Sequence, residues 1–167
     1  CQTHDKVFCL KPTRDDLIEI EQQLTVILLL NLIDRTEIII VVEYIQQQNH
    51  SQLLLDLDEI ISRGFEAKDF IVGLTEHFRN LLVCQQPETL KLLETSENVR
   101  QKYHEQSQRL SPTFILNAFN LCSDSERQTK ISSNPRLTVE LALVKLAYLE
   151  SAIQVAQNGN GHEKKKH

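Results

Sequence analysis

His77 and Cys84 have the best claim to chemistry in this chain. They lie seven residues apart in an apolar pattern of helical spacing, so they can share one helix face. A zinc site wants three or four ligands, and two do not make one. Di-iron bundles carry Glu-x-x-His so that both ligands point inward from one helix, and no Glu here is followed three residues later by His. Glu76-His77 and His104-Glu105 are adjacent pairs, which diverge by about 100° on a helix. His104 has no His four residues on, so a zincin motif is absent. As a nucleophile, Cys84 lacks an activating neighbour: Leu82, Val83 and Gln85 flank it, and none lowers a thiol pKa. A small core residue is the expected role. No Gly-rich run precedes a Lys-Ser/Thr pair, so this chain is not expected to bind or hydrolyse ATP. No catalytic, cofactor-binding or metal-ligating residue is assigned.

Composition points the same way. The 167 residues suffice for one domain with a proper core, and 41% hydrophobic with 25% charged residues is a globular balance. A net charge of −5 argues against a nucleic-acid surface, since phosphate binding needs a basic field. The basic run Lys164-Lys165-Lys166 is too short to act as a binding arm. Cys1, Cys9, Cys84 and Cys122 form no CxxC pair, which suggests a reducing, cytoplasmic setting. A charged-then-apolar leader is missing at the start, so secretion has no support. The apolar run Leu24–Ile33 is far shorter than the roughly 20 residues that span a bilayer, and a buried helix is expected there.

The elements read as helices throughout. Residues 1–12 have no period and are expected to be a disordered leader. Thr13 caps a helix from Arg14 to about Ile33, with Asp15 and Asp16 at its positive end. Glu37–Gln48 follows; its β-branched Ile38-Ile39-Ile40-Val41-Val42 would also suit a strand, but its flanks favour helix. Ser51 is placed to cap a third helix that Gly64 ends, and Ala67 to about Val83 forms a fourth. Pro87 separates that from Glu88–Leu93. Ser96 opens a polar, charged helix, Ser111-Pro112 a further one, and Asn134-Pro135 the last. The expected architecture is an all-α bundle of about five to seven helices over 13–157, with a flexible tail or linker start over 158–167.

The last helix stands apart. Leu137, Val139, Leu141, Ala142, Leu143, Val144, Leu146, Ala147, Leu149 and Ile153 cannot all face one core stripe. Either this helix lies at the centre of the bundle, or another subunit covers its second face.

Two segments carry a resemblance. One is Asp58-Glu59-Ile60-Ile61-Ser62-Arg63-Gly64-Phe65, continuing through Asp69-Phe70-Ile71-Val72-Gly73-Leu74-Thr75-Glu76-His77-Phe78-Arg79-Asn80-Leu81-Leu82-Val83. The other is Asn134-Pro135-Arg136-Leu137-x-Val139-Glu140-Leu141-Ala142-Leu143. Together with the intervening Leu92-Leu93-Glu94 and Phe114-Ile115-Leu116-Asn117-Ala118, they resemble the third domain of the gamma/tau subunit of the bacterial DNA polymerase III clamp loader, over roughly 34–153.

That resemblance implies a helical collar that joins subunits into the ring that loads the sliding clamp, and that does no chemistry itself. It implies ATP and magnesium only in an ATPase domain absent from this chain. The implied partners are other copies of the same subunit and the delta and delta-prime subunits, without direct nucleic-acid or membrane contact. A ring needs two different sticky surfaces per subunit. Arg136, Glu140, Leu141, Leu143 and Leu146 are the candidates for one, and Ile38, Val41 and Val42 for the other. Arg136 and Glu140, one turn apart, are placed to pair with each other or to reach across a boundary. The alternative is a monomeric helical adaptor whose spare apolar surface grips a partner's helix.

Overall fold

The computed structural model describes residues 35–159 and, before them, Arg14 and Ile18, both helical. The expected leader, most of the expected helix from Arg14 to Ile33, and the tail beyond 159 lie outside the described residues. The chain divides into Cys1–Leu32 and Ile33–His167, and the helices below all belong to the second part. They are α1 (Arg35–Gln46), α2 (His50–Ser62), α3 (Ala67–Val83), α4 (Pro87–Leu90), α5 (Glu97–Arg109), α6 (Pro112–Thr129), α7 (Pro135–Ala147) and α8 (Leu149–Gly159). The architecture is all-α, with no strand among the described residues. The helices number eight there because Pro87–Leu90 is a single turn and the last helix is two.

Capping chemistry sets most of the boundaries. Asn134 Oδ1 accepts from Leu137 N at 3.1 Å and Ser111 Oγ from Phe114 N at 3.1 Å, each with Pro at the first helical position. At the end of α2, Gly64 has φ +99°, where only glycine is unstrained. Its N–H donates to Ile61 O and that of Phe65 to Ile60 O, the two bonds of a Schellman close. The α2 start differs from expectation. Asn49, not Ser51, caps it by accepting from Gln52 N at 3.2 Å, after Gln48 turns the chain at φ +55°.

The β-branched run is helical. Ile38, Val41, Val42 and Ile45 recur at helical spacing and all point into the core. Strand propensity loses here to burial of one continuous face. The most extensive packing is α3 against α6. Phe70, Ile71, Leu74, Phe78 and Leu81 are buried from α3, and Phe114, Ile115, Ala118 and Cys122 from α6. Phe78 and Phe114 meet edge-on, with ring centroids 6.4 Å apart.

Helix α7 runs through the middle, touching α1, α2, α3, α6 and α8. Val139, Ala142, Leu143, Leu146 and Ala147 are buried by these neighbours. The expected single helix through Ile153 breaks at Tyr148, which leaves helical geometry at φ −99°, ψ 2° with neither Gly nor Pro nearby. The central position accounts for most of the helix's apolar girth.

Truncating Leu143 to Ala should therefore cost about 2–5 kcal/mol, and truncating the exposed Leu141 less than about 0.5 kcal/mol. Urea denaturation of the two variants checks the contrast.

Candidate subunit interface

Five of the eight interface candidates are not on the surface. Ile38, Val41, Val42, Leu143 and Leu146 are 0–3% exposed within the chain's own core. A side chain already covered by its own fold has no apolar area left to offer a neighbour, so these are core positions. Arg136 and Leu141 are exposed and Glu140 is half-buried.

The free side of α7 carries the candidate Leu141 together with apolar residues that are not among the candidates. Leu137, Leu141 and Tyr148 are 49%, 52% and 47% exposed, and Val144 is half-buried. Their 4-3-4 spacing places them on one stripe, with Lys145 beside them. Charged side chains frame its start. Arg136 Nε donates to Glu140 Oε1 at 2.8 Å, and its Nη2 to Asp58 Oδ1 at 2.8 Å. The hydrogen bond to Glu140, then that to Asp58, raises the Arg136 pKa above its ordinary value. Arg136 thus pairs within its helix and reaches α2 of the same chain. At the other end of α7, Tyr148 Oη lies 3.4 Å from His50 Nδ1, and Gln48 Nε2 donates to Ser151 Oγ at 2.6 Å. The two helices therefore run antiparallel, with Asp58 beside Arg136 and His50 beside Tyr148.

A second surface lies between α1 and α2. Ile40 and Tyr44 line a shallow groove of about 220 Å³ above the buried Val41 and Ile60, rimmed by Glu37, Asp56, Glu59 and Arg63. Arg63 bridges it to Glu37 at 2.7 Å. Ile40 is 45% exposed there, so the groove presents apolar surface under a mostly acidic rim.

His77 and Cys84, the pair with most claim to chemistry, serve the core instead. His77 is buried, with its ring 4.8 Å from that of Tyr103. Its Nε2 donates to Gln106 Oε1 at 2.7 Å, an assignment that follows because Gln106 Nε2 donates to Ile39 O at 3.0 Å. This seam ties α3, α5 and α1 together. The backbone carbonyl of Cys84 accepts from Ser107 Oγ at 3.2 Å and lies 3.2 Å from His104 Nδ1. Burial raises the thiol pKa of Cys84, and that of Cys122 still more, the opposite of activation. Among the described residues no group of three or more His, Cys, Asp or Glu is placed to hold a metal ion. None of the described helices is long and apolar enough to cross a membrane.

Burial pushes the His77 pKa down to about 4, with the Gln106 bond opposing. The unfolded chain takes up this proton near pH 6.5 while the folded chain refuses it until about pH 4. The stability contribution is therefore complete above pH 6.5, falls as pH drops to about 4, and levels off below. The loss should reach roughly 3 kcal/mol. A His77→Gln chain should lack that component, seen as a shallower fall in urea-measured stability between pH 7 and pH 4.

No curated protein matches the chain. The family model described as DNA polymerase III subunits gamma and tau domain III matches residues 22–158, which takes in every helix from α1 to α7 and nearly all of α8. With that match spanning most of its length, on an all-helical fold, the chain belongs to the family of domain III of the gamma and tau subunits of DNA polymerase III.

Proposed function

We propose that this domain is the non-catalytic oligomerisation collar of a clamp-loader gamma/tau subunit. It joins copies of itself and the delta and delta-prime subunits in the ring that loads the sliding clamp during DNA replication. ATP and magnesium would act in the subunit's ATPase domain, and the collar would hold such domains in a circular arrangement. The reading implies a cytoplasmic protein in a bacterium.

The observation that carries this reading is the α7 stripe. The core accounts for Val139, Ala142, Leu143, Leu146 and Ala147, yet Leu137, Leu141, Val144 and Tyr148 continue the apolar surface outward. Covering Leu137 and Leu141, each already about half buried, contributes about 1 kcal/mol apiece. Four such side chains fall short of the roughly 800 Å² per partner of a standard interface. The contact is accordingly weak between two isolated domains and strengthened by closure and by the other domains of the subunit.

Light scattering over a wide concentration series tests the reading. The 167-residue chain should rise reversibly to a trimer or tetramer, and Leu141→Asp should hold it at monomer mass with an unchanged helical circular dichroism spectrum. A strict monomer that also ignores the collar domains of delta and delta-prime would favour the monomeric adaptor instead.

A further inference from the structure

We infer that the α7 stripe of one copy lies in the α1–α2 groove of the next, so that the collar contact is head-to-tail. The inference rests on the self-association reading above and names the two surfaces that meet.

The surfaces occupy different sides of the chain. The edge of α2 that faces α7 carries His50 and Asp58, whereas its groove edge carries Asp56, Glu59, Ile60 and Arg63. One copy can therefore use both surfaces at once. A contact between two unlike surfaces repeats from copy to copy and closes into a ring when the rotation permits, whereas a stripe paired with itself stops at two.

Charge sorts the pairing further. Of the groove's rim, Glu37 is held by Arg63, and Asp56 accepts from Gln52 Nε2 at 2.7 Å. Glu59 makes no ion pair among the described residues, and neither does Lys145 beside the stripe. Arg136 is already engaged by Glu140 and Asp58. Among the described residues, an unpaired cation thus flanks the apolar stripe, and an unpaired carboxylate flanks the apolar groove. Docking matches apolar to apolar and Lys145 to Glu59. The groove extends for about 10 Å along its helices and the stripe for about 16 Å. Leu141, Val144 and one neighbour fill it.

The test uses two full-length variants, Leu141→Asp to block the stripe and Ile40→Asp to block the groove. Each alone should be monomeric by light scattering. Mixed in equal amounts they should form a dimer and nothing larger, because each retains the surface that the other has lost. A mixture that stays monomeric, or an Ile40→Asp chain that still self-associates, overturns the pairing while wild-type association keeps the collar reading intact. A wild-type chain that never self-associates overturns the pairing, and one that also ignores the collar domains of delta and delta-prime removes the collar reading with it. Charge reversal provides a second arm at exposed positions, where folding is not at issue. Lys145→Glu or Glu59→Lys alone should weaken association about tenfold, and both in one chain should restore it. Failure of the double variant to recover counts against the pairing equally.

Discussion

Helix α7 has to be surrounded. Its residues from Val139 to Ala147 carry apolar side chains around most of the circumference, and an exposed helix of that kind would be a standing penalty in water. Five other helices gather against it, and the arrangement of the bundle follows from that requirement. Asn134 and Pro135 fix where the helix starts, and Asp58 on α2 fixes the position of its first turn through Arg136. What remains after this enclosure is a narrow stripe on one side. That stripe carries Leu137, Leu141, Val144 and Tyr148.

Much of the fold is legible in the chain. Ser111-Pro112, Asn134-Pro135 and Gly64 act as the caps and stop that their chemistry suggests, because such signals are local and depend on few neighbours. The all-α class follows from the same periodicity. Asn49 displaces Ser51 as a cap because Gln48 takes a positive φ, a conformation unusual for that residue type. The break at Tyr148 has no Gly or Pro to announce it.

The candidate interface is less legible, and the reason is geometric. A helix that is apolar on every side gives no phase, so its sequence does not say which leucines look outward. Leu141 is exposed as an interface position must be, while Leu143 and Leu146, two and five residues on, turn into the core. The Ile38–Val42 run misleads in a similar way: hydrophobic density marks burial without saying whose surface does the burying. Ile40, the member of that run with most exposure, is the one that presents apolar surface to the groove. Contacts such as His77 with Gln106, 29 residues apart, have no local signature at all.

Helix α5 is held by a different kind of force. Its sequence is mostly polar, yet it is fastened against α1 and α3 through His77–Gln106, Gln106–Ile39 and Ser107–Cys84, with Gln85 donating to Ser107 O at 2.7 Å. Apolar surfaces tolerate sliding, because one methyl group serves nearly as well as the next. Hydrogen bonds do not, since each has one partner and one direction. Beside the buried Tyr103, these bonds key α5 in place and fix α1 and α3 against each other along the helix axis. A surface assembled from two helices, such as the groove on α1 and α2, keeps its shape only while α1 is held in that register.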